Sequence, residues 1–303
     1  MTKTKIVGYR GIANDEKVII SGHAFEKNKV KLVEEGHGRR KNFRQTIRRF
    51  RVRPVKLTVV DVTVNGTTNR VRTNNKGFFT CELTHNGLEP GWHSYELYWK
   101  RNDQRFQGEF YLSGSHETGV ISDIDDTLLV SHSTRFLRKV SLQLFKNAHS
   151  RKTIPMLDHW LEYLKDMNDS SHPRDFFYVS NSEWNLYDFL IDFFSIKNLP
   201  KGVFFLQNLK RGFKDLVSSG KTHGSHKMDS IAFLLRFYPD KKFILVGDSG
   251  QKDMEIYHEV VSQFTDRIKG VMIRKLHYIK NDKLILGYKD KFTEFKVPFI
   301  TFQ

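Results

Sequence analysis

Cysteine is almost missing from this sequence: Cys81 is the single one in 303 residues, which excludes an internal disulfide and fits a reducing compartment. Set among β-forming residues, Cys81 reads as a small buried hydrophobe, not as a reactive thiol. Acids are also scarce relative to bases. Fifty Lys and Arg face 34 Asp and Glu, giving a net charge of +16 and a pI near 9.7. No apolar run approaches the length that crosses a bilayer, and Met1-Thr2-Lys3-Thr4-Lys5 carries no signal-peptide core, so the expected location is cytoplasmic or peripheral to a membrane. What is present is packing material: 39% hydrophobic and 13% aromatic residues, enough for two domains with cores. The basic excess attracts polyanions such as nucleic acid, anionic lipid headgroups or phosphorylated substrates, and does not choose among them.

The first third reads as strands. Lys17–Ser21, Leu57–Val64, Lys76–Leu83, Trp92–Lys100 and Arg105–Leu112 are rich in β-branched and aromatic residues. Val60, Val62 and Val64 share one face, as do Tyr95, Leu97 and Trp99. Asn65-Gly66 signals a tight turn, and Asn74, Asn75 and Gly77 mark another. Evenly spaced short strands with such turns predict a β-sandwich over residues 1–115, separate from a second domain over 116–303. One segment, 39–53, breaks the pattern. Phe43, Ile47 and Phe50 form a helical stripe beside Arg40, Arg44, Arg48 and Arg51. A short stripe of this kind usually packs as core, which is the favoured reading; the alternative is a basic amphipathic helix on an anionic membrane surface.

After Gly119 apolar strands alternate with helices. The strands are Val120–Ile124, Phe176–Ser180, Val203–Leu206, Phe243–Gly247 and Gly270–Ile273. Helical stripes run through Trp184, Tyr187, Ile191 and Phe194, through Met228, Ile231, Leu235 and Tyr238, and through Ile256, Val260 and Phe264. Repeated β-α units imply an α/β fold with a parallel sheet and helices on both faces.

Four strand ends or helix starts carry matching polar residues. Val120-Ile121-Ser122-Asp123-Ile124-Asp125-Asp126-Thr127 ends an apolar run in acids, and alternation puts Asp123 and Asp125 on one side, too close to stay ionised without a proton or metal between them. Ser180-Asn181 ends a second strand, Lys227 opens a helix, and Gly247-Asp248 leads through a loop to Asp253. Each has a bland reading as a cap, a solvated charge or a loop acid. All four in order at strand ends point to phosphoryl transfer. Carboxylates hold a hard cation such as Mg²⁺, one carboxylate attacks phosphorus, a second manages the proton, and lysine with a hydroxyl steadies the phosphoryl oxygens.

Asp123-x-Asp125-x-Thr127, Ser180, Lys227 and Gly247-Asp248-x-x-x-x-Asp253 resemble the four motifs of the haloacid-dehalogenase-like (HAD-like) phosphatases. Within them, the stretches around Gly119, Tyr178 and Phe243 look like the phosphatidate phosphatase family of the actin-patch-protein type. The resemblance implies a HAD-like Rossmannoid domain preceded by an Ig/transthyretin-like sandwich. It implies Asp123 as nucleophile and Mg²⁺ ligand, and Asp125 as acid/base with its carbonyl on the metal. Ser180, Asn181, Lys227 and Thr127 would serve the phosphate, and Asp248 and Asp253 the Mg²⁺. Asn181 stands where relatives are expected to carry glycine, and Asp126 has no assigned role. Little cap is foreseen, only a short helical insert such as 136–146, so bulky substrates stay eligible. The expected reaction is dephosphorylation of phosphatidate to diacylglycerol at an anionic membrane surface. Phosphoprotein or nucleic-acid ends are the alternatives, although no dedicated nucleic-acid motif is present, as is a non-catalytic membrane-binding module. Lys210, Arg211 and Lys214 are expected to face solvent.

Overall fold

The computed structural model describes residues 3–27, 53–114, 118–124, 175–196, 198–207, 226–249, 252–276 and 282–302. Asp125, Asp126, Thr127, the basic segment apart from Arg53, the insert at 136–146, and Lys210, Arg211 and Lys214 lie outside the described residues. The chain forms two compact units that part between Ser113 and Gly114. No described helix is long and apolar enough to cross a membrane.

The first unit is all β. Its strands are β1 (Lys3–Gly8), β2 (Gly11–Ala13), β3 (Lys17–Lys27), β4 (Arg53–Pro54), β5 (Val59–Val64), β6 (Thr67–Arg72), β7 (Phe78–Thr84), β8 (Gly91–Trp99) and β9 (Gln104–Leu112). They make one mixed nine-stranded sheet in which β2 and β9 pair in parallel and the other pairings are antiparallel. The alternation read in the sequence becomes the core: Val60, Val62, Val64, Tyr95, Leu97 and Trp99 are buried together with Ile20, Phe79 and Phe110. The Trp99 indole donates to Thr58 Oγ1 at 2.7 Å, so the largest core side chain leaves no polar atom stranded. Asn65 and Gly66 both take positive φ, 45° and 79°, forming the tight turn that joins β5 to β6. Cys81 is buried, and burial pushes its thiol up to about 12, so it is inert at neutral pH. Burial likewise pushes the His23 imidazole down to about 3, and its Nδ1 is hydrogen-bonded to the Tyr9 hydroxyl at 2.8 Å.

The sequence pattern is corrected at several points. β3 runs on past Ser21 to Lys27, because Gly22 lets the backbone pass close: a Cβ there would meet Val7 O at 2.4 Å and the Phe79 ring at 2.6 Å. Strands β1, β2, β4 and β6 are additional to those expected.

The second unit carries six parallel strands: β10 (Gly119–Asp123), β11 (Asp175–Glu183), β12 (Val203–Gln207), β13 (Phe243–Asp248), β14 (Ile268–Arg274) and β15 (Phe299–Phe302). Their order is β12-β11-β10-β13-β14-β15. The chain therefore enters at the middle, winds outward one way, then returns and winds outward the other way. In this doubly wound order the direction reverses between β10 and β13, and ligands of such sheets bind at the carboxyl ends there. The described helices are α1 (Tyr187–Ile196), α2 (His226–Phe237), α3 (Asp253–Gln263) and α4 (Asp282–Glu294).

Ring contacts place helices on both faces. Tyr178 and Phe204 are register partners and meet Phe194 of α1. Their sequence neighbours Phe177 and Phe205 point the other way, to Tyr238 and to Phe233 of α2. Of the stripe expected through Trp184, Tyr187, Ile191 and Phe194, Tyr187 and Phe194 are buried, whereas Trp184 lies in a 3₁₀ turn and Ile191 is half-buried, and Leu190 and Phe193 complete the core face. At the amino edge of the sheet, Lys241 Nζ binds Asp175 Oδ2 at 2.5 Å, both fully buried.

Candidate active site

Asp123 is the last residue of β10. On one side β10 stays paired with β11 through Asp123↔Val179; on the other, pairing with β13 stops at Ser122↔Val246. The strands part at that register, and Asp123 and Asp248 leave them on either side of the gap. Tyr257, one turn into α3, fills it from below. Its hydroxyl donates to Val246 O at 2.7 Å and itself accepts from the Asp123 backbone N–H. One hydroxyl thus takes over the ladder positions that the diverging strands give up, which is how two buried backbone groups remain satisfied.

Asp253, the first residue of α3, lies under the same gap. Its Oδ2 accepts the Asp248 N–H at 3.1 Å and its Oδ1 binds Lys227 Nζ. Lys227, the second residue of α2, also reaches Asp123 Oδ1 at 2.9 Å. One ammonium therefore ties a nominated nucleophile to an acid 130 positions further along the chain. The approach of Asp253 depends on Gly247, where a Cβ would stand 2.6 Å from Asp253 Oδ2 and 2.8 Å from the Tyr257 ring.

Asp123, Asp248 and Asp253 each offer an oxygen within 4.8 Å of the others, and all three are buried. Three carboxylates against one ammonium leave excess negative charge where water cannot screen it. Burial and the neighbouring Asp123 push the Asp253 carboxyl up to about 7, with Asp248 adding to the repulsion and Lys227 opposing it. Burial works against the charge on Lys227, but Asp123 and Asp253 outweigh it and hold the ammonium protonated far above neutrality. A hard, oxygen-preferring cation fits this donor set and would relieve the repulsion.

The remaining nominated residues divide. Ser180 is buried in β11, where its Oγ accepts the Ser182 N–H at 2.9 Å, and Asn181 is exposed beside it. The strand does not end at Ser180 as expected but continues to Glu183. Two supporting residues are absent from the sequence reading. Tyr257 stands four residues after Asp253, the spacing that stacks side chains on one helix face. Ser249 ties the loop after β13 to the end of β14: its N–H donates to Arg274 O at 2.9 Å and its Oγ accepts the Leu276 N–H at 3.1 Å.

The family described as "Phosphatidate phosphatase APP1, catalytic domain" matches residues 118–275. The chain belongs to this family. Every nominated site residue lies within that match. Two curated relatives fall on the same region. The phosphatidate phosphatase APP1 of Saccharomyces cerevisiae is 35% identical over 156 residues, 52% of this chain and 25% of that protein. The uncharacterized protein C29B5.04c of Schizosaccharomyces pombe is 30% identical over 156 residues, 51% of this chain and 24% of that protein. The match spans about a quarter of the length of these relatives. Among solved structures, a carbohydrate acetylesterase from Xanthomonas citri superposes at a TM-score of 0.34 with 8% identity, covering 96% of this chain and 65% of that one, a likeness too loose to argue from. As a phosphatidate phosphatase catalytic-domain family member, the chain carries the family's matched region around one buried carboxylate cluster.

Proposed function

We propose that this chain is a Mg²⁺-dependent phosphomonoester hydrolase that works through an aspartyl phosphate on Asp123 and converts phosphatidate to diacylglycerol and phosphate. The observation that carries the reading is the meeting of Asp123, Asp248, Asp253 and Lys227 at the strand-order reversal, inside the family match. The strand order and the four motifs favour a HAD-like Rossmannoid core, and the nine-stranded unit is read as its Ig/transthyretin-like companion.

Asp123 and Asp248, with Asp253 directly or through water, would hold Mg²⁺, which supplies neutralisation of phosphate charge when bound. Lys227 fixes the Asp123 carboxylate and presents positive charge to the phosphoryl oxygens as negative charge spreads over them. The Asp123 carboxylate attacks phosphorus, the P–O bond to the diacylglycerol oxygen breaks, and Asp125 gives that oxygen its proton. Water then attacks the acyl phosphate, Asp125 takes the proton back, and Asp123 is regenerated with inorganic phosphate released. Ser180 and Asn181, in the neighbouring strand β11 just past the register of Asp123, are read as phosphate-side groups, with Thr127 steadying the Asp125 loop.

The test is phosphate release by the purified chain with Mg²⁺ from phosphatidate in detergent micelles, a phosphopeptide and a nucleic-acid 3′-phosphate. Release from phosphatidate that Asp123→Asn abolishes is expected. Release only from the peptide or nucleic acid sinks the lipid assignment, and full activity in Asp123→Asn sinks the hydrolase assignment.

A further inference from the structure

Helix α4 leaves two large apolar side chains in water. Leu284 and Leu286 are 52% and 60% exposed and flank Ile285, which is buried. Topology fixes where this end of the helix lies. β14 and β15 are parallel neighbours, so the helix between them returns from the carboxyl edge of the sheet to the amino edge. Phe292 stacks on Phe299, the first residue of β15, with ring centroids 5.1 Å apart, which anchors the far end of α4 at the amino edge. Leu284 precedes Phe292 by two turns, about 12 Å along the helix towards the carboxyl edge.

That edge also carries the acids. Arg274, the last residue of β14, is the register partner of Asp248. β14 stands two strand spacings from β10, about 10 Å. Leu284 and Leu286 lie in the first two turns of α4, near that edge, on opposite flanks of the buried Ile285. Among the described residues, the carboxyl edge also carries Lys252, Arg274, Lys275 and Lys283 and the acids Glu255 and Asp282, with Asp282 bound to Lys275 at 2.5 Å. Asp188 lies at the start of α1, on the other side of the strand-order reversal. Two exposed leucines at a sheet edge whose β14 side, the carboxylate cluster apart, has more bases than acids among its described residues suit the apolar-below, anionic-above profile of a lipid interface.

We infer that the start of α4 is a membrane anchor: Leu284 and Leu286 insert at an anionic lipid surface, with Lys283 against the headgroups, at the sheet edge that carries the carboxylate cluster. This rests on the phosphatidate phosphatase reading of that cluster, since a substrate held in a bilayer has to be met at the bilayer surface.

The experiment compares the full chain with Leu284→Gln/Leu286→Gln and with Lys283→Glu. Binding is read by co-sedimentation with phosphatidylcholine/phosphatidylglycerol vesicles, which are not substrate. Activity is read on phosphatidate in vesicles and on p-nitrophenyl phosphate. The double leucine variant is expected to lose on the order of tenfold in vesicle binding and in vesicle activity. Its activity on the soluble ester should equal that of the parent, which also reports that it folds. Lys283→Glu should weaken binding to anionic but not to pure phosphatidylcholine vesicles, and salt should erase the difference. Unchanged vesicle binding in the leucine variant overturns the anchor, as does a variant that instead splits a dimer in sedimentation velocity, since the patch would then join two copies. A parent chain that hydrolyses the soluble ester but no form of phosphatidate would sink the substrate reading alone, because phosphatidylglycerol binding decides the anchor separately.

Discussion

Replacing Gly247 by alanine tests how tightly the carboxylate cluster is built. The added methyl would sit 2.6 Å from Asp253 Oδ2, 2.8 Å from the Tyr257 ring and 2.9 Å from Asp253 Cβ, all inside van der Waals contact. Neither neighbour can yield freely. Tyr257 is buried with its hydroxyl held by Val246 O, and Asp253 is held by Lys227 and by the Asp248 N–H. If the fold absorbs the methyl, overpacking costs about 1–3 kcal/mol. If Asp253 turns away, a charged hydrogen bond worth about 1.5–3 kcal/mol goes with it. Either way the variant should be roughly 1–3 kcal/mol less stable to urea. Displacing a cluster residue by an ångström should also cost about 100-fold in phosphate release. Much of the stability loss should vanish when Gly247→Ala is placed in an Asp253→Ala background, because the closest clashing atom is then gone. A Gly247→Ala protein with parental stability and activity would refute the packing described here.

Three further outcomes are expected. Folded Asp253 titrates near 7, above an unfolded carboxylate, so in metal-free protein its contribution is fully present below the unfolded value and is lost as pH rises through about 7. Thermal melts should accordingly show metal-free stability declining across that window and Mg²⁺ stabilisation growing over it; Mg²⁺ stabilisation independent of pH would contradict this. Lys241→Met strands the buried Asp175 carboxylate and should cost about 3–5 kcal/mol in denaturant unfolding, while Lys241→Met/Asp175→Leu should recover most of it. Tyr257→Phe removes the hydroxyl between Val246 O and the Asp123 N–H; it should cost about 1–3 kcal/mol and lower kcat more than it changes KM.

The carboxylate cluster was legible because its residues sit at strand ends and helix starts, where an apolar run stops abruptly at an acid or a lysine. The reading named Asp123, Lys227, Asp248 and Asp253, and the structure brings all four together. Tyr257 was not legible, since a tyrosine in a helical stripe looks the same whether it packs on a core or bridges two strands. Strand β6 escaped because Thr67–Arg72 is exposed along nearly its whole length and so has no alternating face. Helix α4 escaped for the opposite reason: Leu284 and Leu286 stand outside the stripe of Ile285 and Phe292 and blur its period. The parallel sheet was legible from its apolar runs, whereas strand order is a property of long-range pairing that local sequence does not carry.

The parting of β10 and β13 has a consequence for how the second unit comes undone. Residues at the ends of these strands are neighbours in space but belong to opposite winding directions of the chain, so a divalent ion gripped by Asp123 and Asp248 would clasp one half-sheet to the other across its midline. Chelation should then loosen the sheet from its centre outwards, and amide exchange should quicken first at Asp123 and Asp248, ahead of the peripheral strands.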